Sequence, residues 1–209
     1  MRKTEEKKPS RLLLFDEGFR DQGFTSLAGV DEAGRGPWAG PVVASAVIVR
    51  DVSFSNRVDD SKKLTPRARE RAYEEILEKC VVGVGIVDAD AIDRMNILEA
   101  TLRAMEEAVR RLDASPDCVL VDGRKAPRVP YRSIPVVDGD ARSFSIACAS
   151  VVAKVTRDRI MDVWDGLYPQ YGFRRHKGYG TPEHEAALKK HGPCKIHRKS
   201  FRPIKRLLG

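Results

Sequence analysis

Long apolar runs and paired cysteines are absent from this sequence of 209 residues. The apolar runs Val42–Val49 and Cys80–Val87 are far shorter than the ~20 residues needed to cross a bilayer. The four cysteines have no paired spacing, and the start Met1–Glu6 has no apolar stretch behind it. We therefore expect a reduced, cytoplasmic protein with no membrane-spanning segment and no signal peptide.

The composition excludes further classes of protein. With 42% hydrophobic residues and ordinary amounts of Gly and Pro, the chain is neither disordered nor fibrous. A chain of this length buries enough surface to be stable without disulfides. At roughly 150 residues per domain, it is expected to form one domain with an appendage at most.

Positive charge is concentrated at one end of the chain. The net charge is +8, and residues 170–209 hold 11 basic and 2 acidic residues, so the rest of the chain has a net charge of −1. All four histidines lie in the same C-terminal segment. A neutral body with a basic end indicates a polyanionic partner such as nucleic acid, and the alternative is a solvated basic tail.

The hydrophobic pattern predicts an α/β fold in which helices flank a mixed sheet. The first 25 residues hold one amphipathic stretch, Arg11–Phe19, and otherwise have the pattern of a loosely attached arm. Strands are predicted at 26–30, 41–49, 80–87, 118–121 and 134–137. A helix is predicted at 61–79, where Thr65 can act as the cap and Pro66 fits the first helical position. Further helices are predicted at 89–95, 97–112 and 143–167, with a short one near 181–191.

Acidic residues stand where the predicted strands end. Asp31 and Glu32 follow the first strand, Asp122 follows strand 118–121, and Asp140 follows strand 134–137. Such positions lie in the ligand-binding crevice of an open α/β sheet, and converging carboxylates need a hard cation such as Mg²⁺ or Mn²⁺. The alternative is that they are turn and cap residues, above all at Asp138-Gly139.

Asp31 and Glu32 are neighbours, and neighbouring side chains point to opposite faces of a regular strand. They can serve one site only if the strand bends there or a backbone carbonyl helps. The following Gly34, Arg35 and Gly36 supply flexible backbone, and N–H groups able to hold a phosphate or a sugar hydroxyl. The glycines also suggest a dinucleotide-binding loop, although the spacing misses that motif by one residue.

The basic end interleaves cations with aromatic rings, a pattern that favours contact with phosphates and bases. Its densest cluster is His176–Thr181, which contains Lys177 and Tyr179. Ser150 and Lys154 share one stripe of the long predicted helix and could line the same site, or simply allow close packing.

Two weaker signals lie elsewhere. The stretch Asp60-Ser61-Lys62-Lys63 places lysines at a helix start, which is an anion-binding position. A zinc site is conceivable among the C-terminal histidines, but structural zinc sites usually show two short-spaced ligand pairs and only one is present. The residues concerned are His184, His191, Cys194 and His197.

Six ordered motifs between about Ala28 and Phe201 resemble those of the type 2 ribonucleases H, and most closely the bacterial ribonuclease HII family. They are Gly29–Gly36 with Ala39-Gly40-Pro41, Asp60–Leu64, Val121-Asp122-Gly123 with Gly139-Asp140, Ala149–Asp158, His176–Thr181, and His197-Arg198-x-Ser200-Phe201.

The resemblance implies an RNase H-like fold and a two-metal endoribonuclease. Such an enzyme hydrolyses the RNA strand of RNA–DNA hybrids and nicks 5′ of single ribonucleotides in duplex DNA, leaving 3′-OH and 5′-phosphate ends for ribonucleotide removal. The implied catalytic and metal-binding residues are Asp31, Glu32, Asp122 and Asp140. The implied or pattern-based substrate contacts are Gly34, Arg35, Gly36, Lys62, Ser150, Lys154, Lys177 and Tyr179, with Asp158 in support.

We therefore expect three parts: an N-terminal arm (1–25), an RNase H-like catalytic domain (26–168) and a small basic helical and loop segment (169–209) that contacts substrate. The expected cofactors are two Mn²⁺ or Mg²⁺ ions, and the expected partner is a hybrid or ribonucleotide-containing duplex, bound by a monomer. Two other hypotheses stay open at this point. They are a non-catalytic nucleic-acid-binding protein and a dinucleotide-dependent oxidoreductase.

Overall fold

The computed structural model describes residues 10–208, and its centre is a mixed five-stranded sheet. The strand order is β3-β2-β1-β4-β5, in which β1, β2 and β3 are antiparallel neighbours while β4 and β5 run parallel to β1. The strands are β1 (Leu27–Ala33), β2 (Val42–Val49), β3 (Cys80–Val87), β4 (Cys118–Asp122) and β5 (Arg132–Val136). The mixed sheet confirms the predicted α/β class.

Helices cover both faces of this sheet. Within residues 10–208 they are α1 (Arg11–Arg20), α2 (Pro66–Lys79), α3 (Ala89–Met95), α4 (Ile97–Arg110), α5 (Phe144–Leu167), α6 (Phe173–His176), α7 (Pro182–His191) and α8 (Arg202–Leu208). A 3₁₀ turn, Gly139–Ala141, joins β5 to α5. In the described residues, no helix is both long and apolar enough to pass through a bilayer.

Local capping sets the start of α2. The hydroxyl of Thr65 accepts a hydrogen bond from the Ala68 N–H, and Pro66 occupies the first helical position, where its missing N–H costs nothing. The helix therefore begins at Pro66, which confirms the predicted cap, and residues 61–64 of the predicted range 61–79 form a turn.

Two hydrophobic layers position the strand ends. On one face, Ala44 and Ala46 of β2 pack in the same cluster as Met105 of α4. On the other face, Val47 packs with Val151 of α5, as the alternation of side chains along a strand requires. Helix α5 lies very close to β1, because a Cβ on Gly29 would stand 2.1 Å from the Ser145 carbonyl carbon.

The N-terminal segment is not a loose arm where the structure describes it. The carboxylate of Asp16 is buried, and it accepts hydrogen bonds from the Ser143 hydroxyl at 2.6 Å and the Ser145 N–H at 2.8 Å. It therefore caps the start of α5 from a distant part of the chain. The predicted amphipathic stretch Arg11–Phe19 is thus a helix that packs on the body of the protein, and residues 1–9 of the predicted arm lie outside the described residues.

The basic C-terminal segment packs on the catalytic sheet through backbone contacts. The Trp38 N–H donates to the Gly178 carbonyl at 2.8 Å, and the Gly40 N–H donates to the Ile196 carbonyl at 2.9 Å. Buried apolar side chains, among them Phe173 and Ile204, form a small core beneath it. This segment therefore lies against the loop that leads from β1 to β2.

Candidate active site

The carboxyl ends of β1 and β4 open into a cavity of about 230 Å³. Asp140 lies beside it, with its Oδ2 atom 3.3 Å from the Nζ of Lys62. The structure thus brings the four predicted acids to one edge of the sheet. The cavity is lined by Asp31, Glu32, Ala33, Gly34, Arg35, Gly36, Ser61, Lys62, Asp122, Ser150, Lys154, Arg157 and Tyr179.

Strand β1 continues past its predicted end. It keeps its ladder with β2 through Ala33, whereas its pairing with β4 ends at Val30. Asp31 and Glu32 therefore lie on a stretch of β1 that has one free edge, and both line the cavity without a break in the β2 ladder. The expected bend at these two residues is not needed to bring both to the site.

Burial and mutual repulsion raise the pKa values of three of the acids. Burial, then the charges of Glu32 and Asp122, holds the pKa of Asp31 well above its usual range. Burial also raises the pKa of Glu32, partly offset by Arg35. The pKa of Asp122 is raised by burial and by Asp140, against a lowering hydrogen bond from the Gly139 N–H. An added cation would relieve this repulsion.

The donor chemistry of this edge fits a hard divalent cation, since every candidate ligand is a carboxylate. Within residues 10–208, no three His, Cys, Asp or Glu side chains are grouped to hold a metal ion as they stand. Lysine and arginine supply positive charge there instead: Lys62 contacts Asp140, and Arg35 Nη1 lies 3.3 Å from Glu32 Oε1.

The loop after the acids is held by two buried arginines. Arg198 donates from Nη2 to the Gly34 carbonyl at 2.6 Å and from Nη1 to the Arg35 carbonyl at 2.9 Å. Arg157 donates to the carbonyls of Pro41, Ala39 and Lys177. Burial lowers the pKa of Arg157 to about 10 and that of Arg198 to about 9. Both remain charged at neutral pH and fix the loop backbone.

Gly34 fits this arrangement because it lacks a side chain. Its φ of +97° lies in the region that L-residues rarely adopt, and an added Cβ would stand 2.1 Å from Arg157 Nε. The loop then enters strand β2 rather than a helix. The dinucleotide-loop interpretation is therefore wrong, because that motif needs a helix N-terminus for the pyrophosphate.

Tyr179 stands opposite this loop. Its side chain is 45% exposed, and its ring lies 3.7 Å from the position of a Cβ on Gly36. Its backbone is fixed by the His184 ring, whose Nδ1 lies 2.9 Å from the Tyr179 carbonyl. An exposed ring on a fixed backbone therefore lines the same cavity as the glycine loop.

The comparisons with known proteins decide the family. Residues 28–204 match the family described as Ribonuclease HII. The chain belongs to the ribonuclease HII family. The ribonuclease HII of Geotalea daltonii is 53% identical over 195 residues, covering 93% of this chain and 90% of that protein. That of Ruminiclostridium cellulolyticum is 48% identical over 192 residues, covering 91% and 75%.

Solved structures agree with the family. The ribonuclease H2 of Pyrococcus horikoshii OT3 matches with a TM-score of 0.74 at 27% identity, covering 88% of this chain and 97% of that one. The predicted RNase H-like fold is confirmed. As a member of the ribonuclease HII family, the chain is a nuclease of the ribonuclease H type, which hydrolyses the RNA strand of RNA–DNA hybrids.

The remaining predicted site residues divide into two groups. Ser150 and Lys154 line the cavity of this ribonuclease HII, and Asp158 supports Lys154 through a 2.7 Å contact between its Oδ1 and the lysine Nζ. Burial lowers the pKa of Lys154, against the charge of Asp158. Lys177 does not line the cavity, because its ammonium donates to the Asp158 carbonyl and contacts Asp162. Its role in substrate binding stays a prediction.

The C-terminal histidines form a packing cluster. Nε2 of His184 lies 2.9 Å from Nε2 of His197, and the rings of His176 and His184 stack at 4.5 Å. Nδ1 of His197 accepts from the Cys194 N–H at 2.9 Å. These nitrogens are engaged by each other and by backbone, and within residues 10–208 no group of three possible metal ligands is formed. The arrangement favours packing over a zinc site.

Sequence reasoning missed three residues that support the site: Arg157, Arg198 and Asp16. The two arginines stand inside motifs shared with the family, and their burial beside backbone carbonyls was the missing information. Arg157 falls on the same stripe of α5 as Ser150 and Lys154, so an arginine on a small-residue stripe was the available signal. Nothing in the local sequence distinguishes Asp16 from an exposed helix acid.

Proposed function

We propose that this ribonuclease HII nicks the phosphodiester bond 5′ of a ribonucleotide in duplex DNA, using two divalent cations and leaving 3′-OH and 5′-phosphate ends. The observation that carries the proposal is the convergence of four carboxylates beside a fixed glycine loop and Tyr179. In the cell, this activity would serve the removal of ribonucleotides from DNA.

Asp31, Glu32, Asp122 and Asp140 are the residues proposed to hold the cations, Mn²⁺ or Mg²⁺. When bound, two ions supply an activated water and stabilise charge on the leaving 3′-oxygen. The raised pKa values of Asp31, Glu32 and Asp122 support this assignment, because repelling carboxylates gain most from a shared cation.

The backbone of Gly34, Arg35 and Gly36, together with Tyr179, is proposed to read the ribose 2′-hydroxyl. A 2′-hydroxyl both donates and accepts, so fixed backbone groups and a phenol can distinguish ribose from deoxyribose. Arg198 keeps this backbone in place through its hydrogen bonds to the Gly34 and Arg35 carbonyls. Arg157 holds the later part of the same loop at Ala39 and Pro41, so that recognition costs little reorganisation.

Lys62 and Lys154, which line the same cavity as the acids, are proposed to contact the substrate phosphates. Lys62 is 81% exposed, and its pKa is raised because the charges of Asp140 and Asp60 outweigh the lowering effect of burial. Lys154 is more enclosed and is oriented by Asp158. Residues 26–168 thus form the proposed catalytic domain, and residues 169–209 contribute Tyr179 and further duplex contacts.

The test uses a duplex with one embedded ribonucleotide, labelled at the 5′ end of the strand that contains it. With Mn²⁺ or Mg²⁺ we expect a single product whose length places the nick 5′ of the ribonucleotide, and a DNA polymerase should extend its 3′-OH. The all-DNA duplex and an EDTA reaction are the controls. A nick at another position, cleavage of the all-DNA duplex, or full activity in EDTA would contradict the proposal.

A further inference from the structure

A second cavity adjoins the active site on the α4 face of the sheet. It has a volume of about 330 Å³ and shares Glu32, Arg35 and Asp122 with the first cavity. Gly34, Gly36 and Tyr179 line only the first cavity. The rest of the second cavity is formed by Leu98, Thr101, Leu102 and Met105 of α4 and by Gly123, Arg124 and Lys125 of the loop after β4.

The chemistry of this second cavity suits a nucleotide. Leu98 and Leu102 are half-buried and give an apolar wall for a sugar or base. The volume is at the lower end of the range for small-molecule pockets, which matches one nucleotide rather than a folded partner. The carboxylates of Glu32 and Asp122, which this cavity shares with the first, repel a phosphate. A nucleotide that binds here therefore needs cations at the other end of the cavity.

Arg124 and Lys125 supply those cations. They follow Asp122 after a single glycine, and both are exposed. Lys62 and Arg35 contact carboxylates, whereas in residues 10–208 neither Arg124 nor Lys125 takes part in an ion pair or a side-chain hydrogen bond. Their charges are available to an external anion.

The position of the second cavity relative to Tyr179 indicates the direction in which the cleaved nucleic-acid strand runs. In the proposed function, Tyr179 and the glycine loop contact the ribose on the 3′ side of the scissile phosphate, which itself lies at the carboxylates. The second cavity meets the first at Glu32 and Asp122 and is not lined by Gly34, Gly36 or Tyr179, so it offers nucleotides on the 5′ side a path away from the ribose contacts. We propose that this cavity binds the nucleotide immediately 5′ of the scissile phosphate, and that Arg124 and Lys125 contact the next phosphate upstream. This inference rests on the proposed function.

A third cavity of about 840 Å³ continues in the same direction. It shares Leu102 and Lys125 with the second and adds Arg103 and Arg128. Glu99 and Glu106 also line it, so its net charge is close to neutral. The proposed subsite is therefore limited to the second cavity, where the cations stand next to the site.

The test compares wild type with the double variant Arg124→Ala/Lys125→Ala on two substrates. One has a long flank 5′ of the ribonucleotide, and the other is cut back to a single 5′ nucleotide without a terminal phosphate, opposite an unchanged complementary strand. On the long flank we expect kcat/KM of the variant to fall about tenfold, as for loss of a charge-assisted hydrogen bond. On the cut-back substrate the two proteins should be equal, because the contacted phosphate is missing.

The matched control is Arg11→Ala/Arg110→Ala, which removes two exposed cations that line none of the three cavities. It should behave as wild type on both substrates. A variant deficit that persists on the cut-back substrate, that follows the 3′ flank instead, or that is absent on the long flank would overturn the subsite. Failure of wild type to nick 5′ of the ribonucleotide would overturn the proposed function itself, so the two failures are distinguishable.

Discussion

The two halves of this active site satisfy their charges in opposite ways. At the sheet edge, Asp31, Glu32 and Asp122 lie close together and repel, and their pKa values are raised. Beside the glycine loop, the buried cations Arg157 of α5 and Arg198 of the C-terminal segment are each surrounded by backbone carbonyls that accept their hydrogen bonds. In the proposed function, this recognition half is complete in itself, and the acidic half is completed by added cations.

This difference explains the charge distribution along the chain. A neutral body and a basic end suggest that only the end meets nucleic acid. The body instead contributes a local excess of negative charge, hidden in a net charge near zero. In the proposed function, divalent cations between this edge and a phosphate would turn repulsion into attraction, so that both halves contact the same duplex.

The largest effect should come from breaking the acidic half at Asp122. In Asp122→Asn an amide oxygen can still accept the Gly139 N–H, which Asp122 Oδ1 accepts at 2.7 Å, so the fold should survive. Loss of a carboxylate that stabilises the transition state should lower kcat by about 10³-fold, with duplex binding largely kept. Single-turnover cleavage and a binding titration measure the two. Asp113→Asn, at an exposed acid, is the control, and near-normal cleavage by Asp122→Asn would remove Asp122 from the site.

The next largest effect is expected from a substitution in the recognition half, at Gly34. A Cβ there meets Arg157 Nε at 2.1 Å on a backbone with φ of +97°, so Gly34→Ala should cost about 2 kcal/mol of stability or more and lower cleavage about 10²-fold. Chemical denaturation and the nicking assay test both. Gly166→Ala is the matched control, since nothing lies within 4 Å of its added Cβ. Equal behaviour of the two variants would show that the loop conformation is unimportant.

Tyr179 offers a graded test of sugar recognition. Tyr179→Phe keeps the ring and loses the hydroxyl, so kcat/KM on the duplex with one ribonucleotide should fall about tenfold. Tyr179→Ala also loses stacking worth about 1–3 kcal/mol, so its kcat/KM should fall further. Steady-state nicking of that duplex measures this, with Tyr168→Phe as the control. An unchanged kcat/KM in both variants would exclude Tyr179 as a sensor.

The smallest effect concerns pH. Burial lowers the pKa of His184 to about 4, from an ordinary value of 6.5. Burial and repulsion from His184 lower the pKa of His197 to about 4 as well. Their contribution to stability is present above about pH 6.5 and is lost as the pH falls toward 4, because the unfolded state binds more protons there. The raised pKa values of the site carboxyls have the opposite effect on stability. As the pH falls, these carboxyls become protonated, and their mutual repulsion in the metal-free site decreases.

Proton NMR of the imidazole rings measures the histidine titrations directly. We expect the ring signals of His184 and His197 to stay at their neutral positions at pH 5. A titration midpoint near 6.5 for either ring would show that the cluster is open to water.

The sequence predicted the parts of the site whose signals are local. Strand-end acids and the glycine-rich loop follow from side-chain periodicity and turn chemistry, and the cap of α2 at Thr65 with Pro66 in the first helical position follows from local sequence. The predicted end of β1 was wrong because β1 stays paired with β2 as far as Ala33, whereas its pairing with β4 ends at Val30. Such pairing is a property of the neighbouring strand.

Long-range polar contacts lay beyond prediction for a related reason. Asp16 meets Ser143 across 127 residues, and Arg198 meets Gly34 across 164. No local pattern separates a buried, fully hydrogen-bonded charge from an exposed one, because burial is decided by the packing of distant segments. The motif resemblance located Arg157 and Arg198 without revealing what they hold.

The most direct test of the central claim is the stoichiometry of Mn²⁺ bound in the presence of an uncleavable ribonucleotide duplex, measured by titration calorimetry. We expect two ions per chain for the wild type, and reduced stoichiometry or affinity in Asp31→Asn and Asp122→Asn. Absence of Mn²⁺ binding, or an identical titration in wild type and both variants, would contradict the claim that the repelling carboxylates are completed by metal ions.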